Sequence, residues 1–159
     1  MSVNAWIVVG DQPTIGNLVT VARSLGGPVG AVVAGPRSVA ETVARSGVDK
    51  VVWCSAPDDV PAEANAPAVA DAVAADPPRV VLAGRNPGER VLLGAVAVSG
   101  PVALLLDGGS APSADGASAP IEDVSAPPLG VKVIETRTHG FDEVDLNAAH
   151  RVIGIGRGL

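Results

Sequence analysis

Asn4–Ala34 reads NAWIVVGDQPTIGNLVTVARSLGGPVGAVVA and decides the fold. Asn4–Gly10 is a short apolar run ended by Gly10-Asp11, the signature of a strand buried on both faces. Thr14–Leu25 then places Ile15, Leu18, Val19, Ala22 and Leu25 at helical spacing and stops at Gly26-Gly27. Val29–Ala34 is a second continuous apolar run. Strand, helix and strand joined by connections this short predict a parallel pair with a right-handed crossover.

The pattern repeats downstream. Gly35-Pro36 closes the second strand, and Ser38 is placed to cap a helix over Val39–Arg45, with Glu41 completing a capping box and Gly47 ending it. Lys50–Ser55 is the third strand. Pro61–Ala75 is alanine-rich and predicts a helix, but Pro67 removes a backbone donor in its middle. The expectation is a helix starting near Ala66 or a break there. Arg79–Ala83 is a fourth strand, Arg85–Gly88 a turn, Glu89–Val98 a helix and Val102–Leu106 a fifth strand. The fold class is therefore α/β: a mostly parallel sheet with helices on both faces, a Rossmann-like three-layer sandwich. In such sheets ligands bind outside the carboxyl ends of the strands. The loops there, Gly10–Pro13, Gly35–Ser38, Ala56–Pro61 and Gly84–Gly88, make Gly10, Gly35, Gly84, Asn86 and Gly88 the candidate crevice residues.

Beyond the fifth strand the character changes. Residues 107–128 are rich in Asp, Gly, Ser, Ala and Pro, with Ile121 and Val124 as the only sizeable apolar side chains, and predict a mobile surface loop. Gly130–Thr138 (GVKVIETRT) alternates and predicts a late edge strand. Phe141–His150 is acidic and expected to be irregular. Arg151–Leu159 (RVIGIGRGL) returns to strand, followed by a glycine-rich turn.

Composition narrows the function classes. The 159 residues suffice for one domain that buries about two-thirds of its unfolded surface. The chain is 47% hydrophobic but 2% aromatic, so its core is built of Val, Ala, Leu and Ile. A net charge of −6 argues against a nucleic-acid surface, which needs clustered Lys and Arg. No apolar run reaches the roughly 20 residues that cross a bilayer, so membrane insertion is not expected. A single cysteine and no signal-like N-terminus make the cytoplasm the expected compartment.

No catalytic constellation emerges from the residues. Cys54 lies in an apolar strand and reads as a small hydrophobe. His139 and His150 have no ligand-spaced partners, so no metal site is expected. Asp58-Asp59 reads as helix-start electrostatics, and Trp6 and Trp53 as core residues. There is no Gly-x-Ser-x-Gly elbow, dinucleotide fingerprint or Walker lysine. Asn86–Arg90 is the most polar of the sheet-edge loops, where Gly88 could bring backbone close to a ligand and Arg85 or Arg90 could pair with an anion. A plain turn into a helix is the simpler reading. Gly154, Gly156 and Gly158 suit a phosphate loop, but such a loop needs a following helix N-terminus. These residues point to binding or assembly rather than to catalysis by this chain alone.

The order of motifs resembles the N-terminal part of the electron transfer flavoprotein alpha subunit. Leu18–Gly27 followed by Val29–Gly35 is similar to that family's first helix and second strand. Ser46–Val52 (SGVDKVV) resembles its "GVDKV" approach to the third strand. Val81–Val98, with Asn86–Arg90, takes the place of its phenylalanine-glycine-lysine-asparagine turn, keeping only the glycine. Val131–Phe141 resembles "KVITVRTTAF", and Arg151–Leu159 resembles "KVVVSGGRGL", which opens the family's flavin-binding domain.

The resemblance implies an adenine-nucleotide-hydrolase-like fold and a heterodimer with a beta-type subunit, in complexes whose FAD carries electrons from dehydrogenases to a membrane oxidoreductase. It places Arg157 near FAD, flanked by Gly156 and Gly158. It also divides the chain into an N-terminal domain over residues 1–146 and, over 147–159, the strand and GRGL loop that begin a flavin domain otherwise missing here. The family's "YAGN" segment is replaced by Ser125–Gly130 (SAPPLG). The chain is thus expected not to hold FAD alone. It is expected to act as a scaffold or assembly component beside a beta-like subunit or a detached flavin domain, with Arg151–Leu159 packed back on the domain. A homo-oligomer is also allowed. The alternative is a stand-alone binder of AMP or another small ligand at the sheet-edge crevice.

Overall fold

A computed structural model describes residues 2–55, 60–98, 102–109, 117–125 and 129–135. Five strands alternate with helices in the expected order: β1 (Ala5–Val9), α1 (Gly16–Ser24), β2 (Val29–Val33), α2 (Arg37–Ala44), β3 (Lys50–Ser55), α3 (Ala66–Ala75), β4 (Val80–Ala83), α4 (Pro87–Ala97) and β5 (Val102–Leu105). A sixth strand, β6 (Ile121–Ser125), follows. The described strands form one all-parallel sheet in the order β5-β4-β1-β2-β3-β6. Alternate side chains of each strand enter opposite cores. Ile7, Val9, Ala31, Val33, Val51 and Leu82 meet Leu18, Ala22, Val39 and Val43 of α1 and α2. Trp6, Val8, Val32, Val52 and Val81 meet Val69, Val73, Leu92 and Val96 of α3 and α4. The three-layer α/β sandwich is as expected.

Local chemistry explains the joints. Pro67 falls in the first turn of α3, where its missing N–H costs nothing, and a 3-10 turn over Ala62–Asn65 leads into it. Asn86 caps α4: its side-chain oxygen accepts from the Glu89 N–H at 2.9 Å, and Pro87 opens the helix. Gly30 lies against the Trp6 ring, where any β-carbon would come within 2.5 Å of Cζ3. The ring is fully buried, and its Nε1–H donates to the Asp76 carbonyl at 2.9 Å.

Three expectations are corrected. The capping box at Ser38 does not form. Extended Pro36 starts α2 at Arg37, which puts Ser38 inside the helix, and Glu41 pairs with Arg37 at 3.6 Å instead. Within residues 107–128, read as a mobile loop, Ile121–Ser125 is a strand paired with Val51–Ser55 of β3. Its two apolar residues point to opposite cores, while Glu122 pairs with Lys50 and Asp123 with Arg37 at 3.0 and 2.6 Å. The predicted late strand at Gly130–Thr138 shows no strand pairing over its described part, Gly130–Glu135, where Ile134 is 99% exposed. The late edge of the sheet is β6. No helix among the described residues is long and apolar enough to cross a membrane.

Candidate functional site

The chain runs β1, β2, β3 outward in one direction and then returns to place β4 on the other side of β1. The topological switch point therefore lies between the carboxyl ends of β1 and β4. A crevice of about 470 Å3 opens there. Its walls are Gln12 and Thr14 after β1, Gly84, Arg85 and Asn86 after β4, Asp107–Gly109 after β5, and Glu89 from the first turn of α4. The loop after β5 is tied in by backbone, since the Asn17 N–H at the start of α1 donates to the Gly108 carbonyl at 3.0 Å. A β-carbon at Gly108 would overlap the Thr14 carbonyl oxygen, so glycine there lets the two loops approach closely.

Glu89 dominates the site. It is 1% exposed, and a carboxylate oxygen accepts from the Gly10 N–H at 3.4 Å. Its other oxygen occupies the space that a β-carbon at Gly84 would need. Burial raises its pKa above the ordinary 4.5, with a smaller push from Asp11, while hydrogen bonds from Gly10, Asn86 and Gly84 oppose the rise. Asp11 is also raised, by partial burial and then by the Glu63 carboxylate. No ion pair to Glu89 forms among the described residues.

Of the candidate crevice residues, Gly10, Gly84 and Asn86 converge on Glu89. Gly35 packs on the Gly10 carbonyl but opens on a neighbouring cleft of about 420 Å3, with Asp11, Arg37 and Trp53. Gly88 faces the Glu63 carboxylate instead of the crevice. Arg85 stands on the exposed rim, and Arg90 is not part of the lining. Trp6 is core, as expected. Trp53 is half-buried, donates from Nε1 to the Gly35 carbonyl at 2.9 Å, and carries the Arg37 guanidinium 4.7 Å from its ring centroid. Cys54 is buried and its thiol is pushed up to about 11, which leaves it without thiolate character. Among the described residues no three or more His, Cys, Asp or Glu are grouped to hold a metal. Arg157, Gly156, Gly158, His139, His150, Asp58 and Asp59 lie outside the described residues.

Of the four loops named from sequence, Gly10–Pro13 and Gly84–Gly88 contribute to this crevice, while the loop after β5 and the central place of Glu89 were missed. The signal was weak. A glutamate three residues after an N-cap reads as a helix-start residue, and only the return of the chain to β4 turns it toward Gly10.

A family model, described as the electron transfer flavoprotein domain, matches residues 12–107. That span begins in the loop after β1, ends in the loop after β5, and covers well over half of the chain. The chain belongs to the electron transfer flavoprotein domain family. The match includes Gln12, Thr14, Gly84–Asn86, Glu89 and Asp107 of the crevice lining and stops before Gly108 and Gly109. No curated protein matches the chain. Proteins of this family typically work in complexes with partner subunits. Among the described residues β5 is an edge of the sheet, and Val102, Leu104 and Leu105 on it, with Val98 just before it, are exposed.

Proposed function

We propose that this chain is an electron transfer flavoprotein alpha-like component that serves as a scaffold. It would assemble with a beta-like subunit or a detached flavin domain, and the FAD of the complex would be held chiefly outside this chain. The family match over residues 12–107 carries the reading. The exposed apolar edge at β5 supports it, because an open hydrophobic edge strand is usually covered by a partner. Arg157, with Gly156 and Gly158, would lie at the seam with the flavin-bearing partner, by the resemblance of Arg151–Leu159 to the GRGL loop. The cytoplasm remains the proposed compartment.

The nucleotide-binding alternative is less well supported by the site. An AMP phosphate at the start of α4 would meet the buried Glu89 carboxyl, which already takes the Gly10 N–H, in a crevice that Asp107 also lines. The test is reconstitution. The purified chain is mixed with an electron transfer flavoprotein beta-type subunit from the same genome, and the mixture is analysed by sedimentation with absorbance at flavin wavelengths. A heterodimer is expected, with no flavin on the chain alone. Near-stoichiometric flavin on the isolated chain, or no association at about 50 µM of each protein, overturns the proposal.

A further inference from the structure

A carboxyl group buried without a cation is energetically costly, and it is retained only where something compensates. Glu89 is 1% exposed, pairs with no lysine, arginine or histidine among the described residues, and borders a crevice of about 470 Å3. The protein supplies part of the compensation. The Gly10 N–H donates at a long 3.4 Å, Asn86 and Gly84 add hydrogen bonds, Gly84 has no β-carbon to displace the carboxyl, and burial favours its protonated form. The acceptors around the cavity agree in character. Thr14, Asn86 and Asp107 line the same cavity, and its one basic lining residue, Arg85, is as exposed as Asp107. A crevice of this kind, with a few converging polar groups and a perturbed carboxyl at a switch point, is the usual setting of a small-molecule site.

We propose that the crevice between the carboxyl ends of β1 and β4 binds a small ligand through a cationic, hydrogen-bond-donating head group, an ammonium or amidinium, with Glu89 as its counter-ion. The head group brings the positive charge that the described protein groups do not place beside Glu89. Asp107 adds a second carboxylate, and Thr14 and Asn86 offer further acceptors. The same arrangement rejects phosphate, because an anion at the start of α4 would stand against two carboxyl groups. This inference does not depend on the scaffold role, since it rests on the crevice residues of this chain and is read on the chain without a partner.

The experiment uses the full chain, labelled with nitrogen-15 and titrated with agmatine, which carries both an ammonium and a guanidinium group. Separate titrations use inorganic phosphate and AMP at matched ionic strength. The Gly10 and Gly84 amides, which flank Glu89, report the site. Agmatine is expected to shift both amides in a saturable way below about 10 mM, with affinity rising as pH rises and the carboxyl ionises. Phosphate and AMP are expected to leave them in place. Glu89→Gln should weaken agmatine at least about 10-fold, the loss of one charge-assisted contact. Asp107→Asn, an exposed position whose change does not threaten the fold, should weaken it about 3-fold. Unmoved amides with agmatine, unchanged affinity in the Asp107→Asn chain, or tighter binding of AMP than of agmatine at these amides each overturns the proposal.

Discussion

Glu89 and Gly84 act as one unit: the carboxyl fits because position 84 has no β-carbon, and it is buried because α4 begins directly beneath the β1 loop. The consequence for stability has a definite sign. Burial raises the pKa of Glu89, so the native state keeps a proton that the unfolded chain has released above 4.5. The stabilisation from this group is therefore complete below the unfolded value and is lost as pH rises through the raised native value. Glu89→Gln cannot titrate, while Asp11 and Asp49 titrate in both proteins. Urea midpoints of the wild type should thus fall relative to those of Glu89→Gln as pH rises above 4.5, and parallel curves would show that Glu89 does not carry the shift. Gly30 makes a second residue-scale case. Alanine there would drive a methyl against the buried Trp6 ring, so Gly30→Ala should cost about 1–3 kcal/mol in the same assay, with altered tryptophan emission. Neither constraint is written in the sequence. The glycines were visible as turn or strand residues, but Trp6 reaches Gly30 from another strand and Glu89 reaches Gly84 from the following helix, contacts that only the folded chain makes.

The helices show what capping chemistry can and cannot announce. Ser38 with Glu41 fits the capping box in sequence, yet Pro36 fixes an extended residue one step too early and the helix starts at Arg37. Asn86, in a turn read mainly for its polarity, is the residue whose side chain caps. Paired substitutions separate the two: Asn86→Ala should destabilise by about 1 kcal/mol and Ser38→Ala by less than about 0.5 kcal/mol, measured by chemical denaturation. Equal losses would contradict the assignment. Strands were legible to within a residue wherever both faces are buried, since an unbroken apolar run admits few other readings. β6 was not. An edge strand needs only Ile121 for one core and Val124 for the other, and its remaining side chains serve Lys50 and Arg37, so its sequence looks like loop. Pro67 was legible because its two tolerated outcomes, a late start and a break, coincide in the 3-10 turn before α3.

At the scale of the whole molecule the two described edges of the sheet are treated differently. β6 ends one side with carboxylates in ion pairs, a charged edge that discourages further strands. β5 ends the other with Val-Ala-Leu-Leu and carries no charge within the strand. Ala103 turns toward α4, and alternation then sends Val102 and Leu104 to the opposite face, where both are exposed. An apolar edge next to the switch point is where a family that works through subunit assembly would be expected to meet its partner, and this gives the scaffold proposal a local test. Leu104→Lys places a charge on an already exposed side chain, so the stability of the isolated chain should change by less than about 0.5 kcal/mol. Association with a beta-type subunit should weaken by at least about 10-fold, because a buried unpaired ammonium at an interface is costly. Sedimentation of the variant with that subunit measures the second quantity, and denaturation of the variant alone measures the first. Full-strength association by a stable variant would move the interface away from β5 while leaving the family assignment untouched. Loss of stability would instead show that Leu104 belongs to the core.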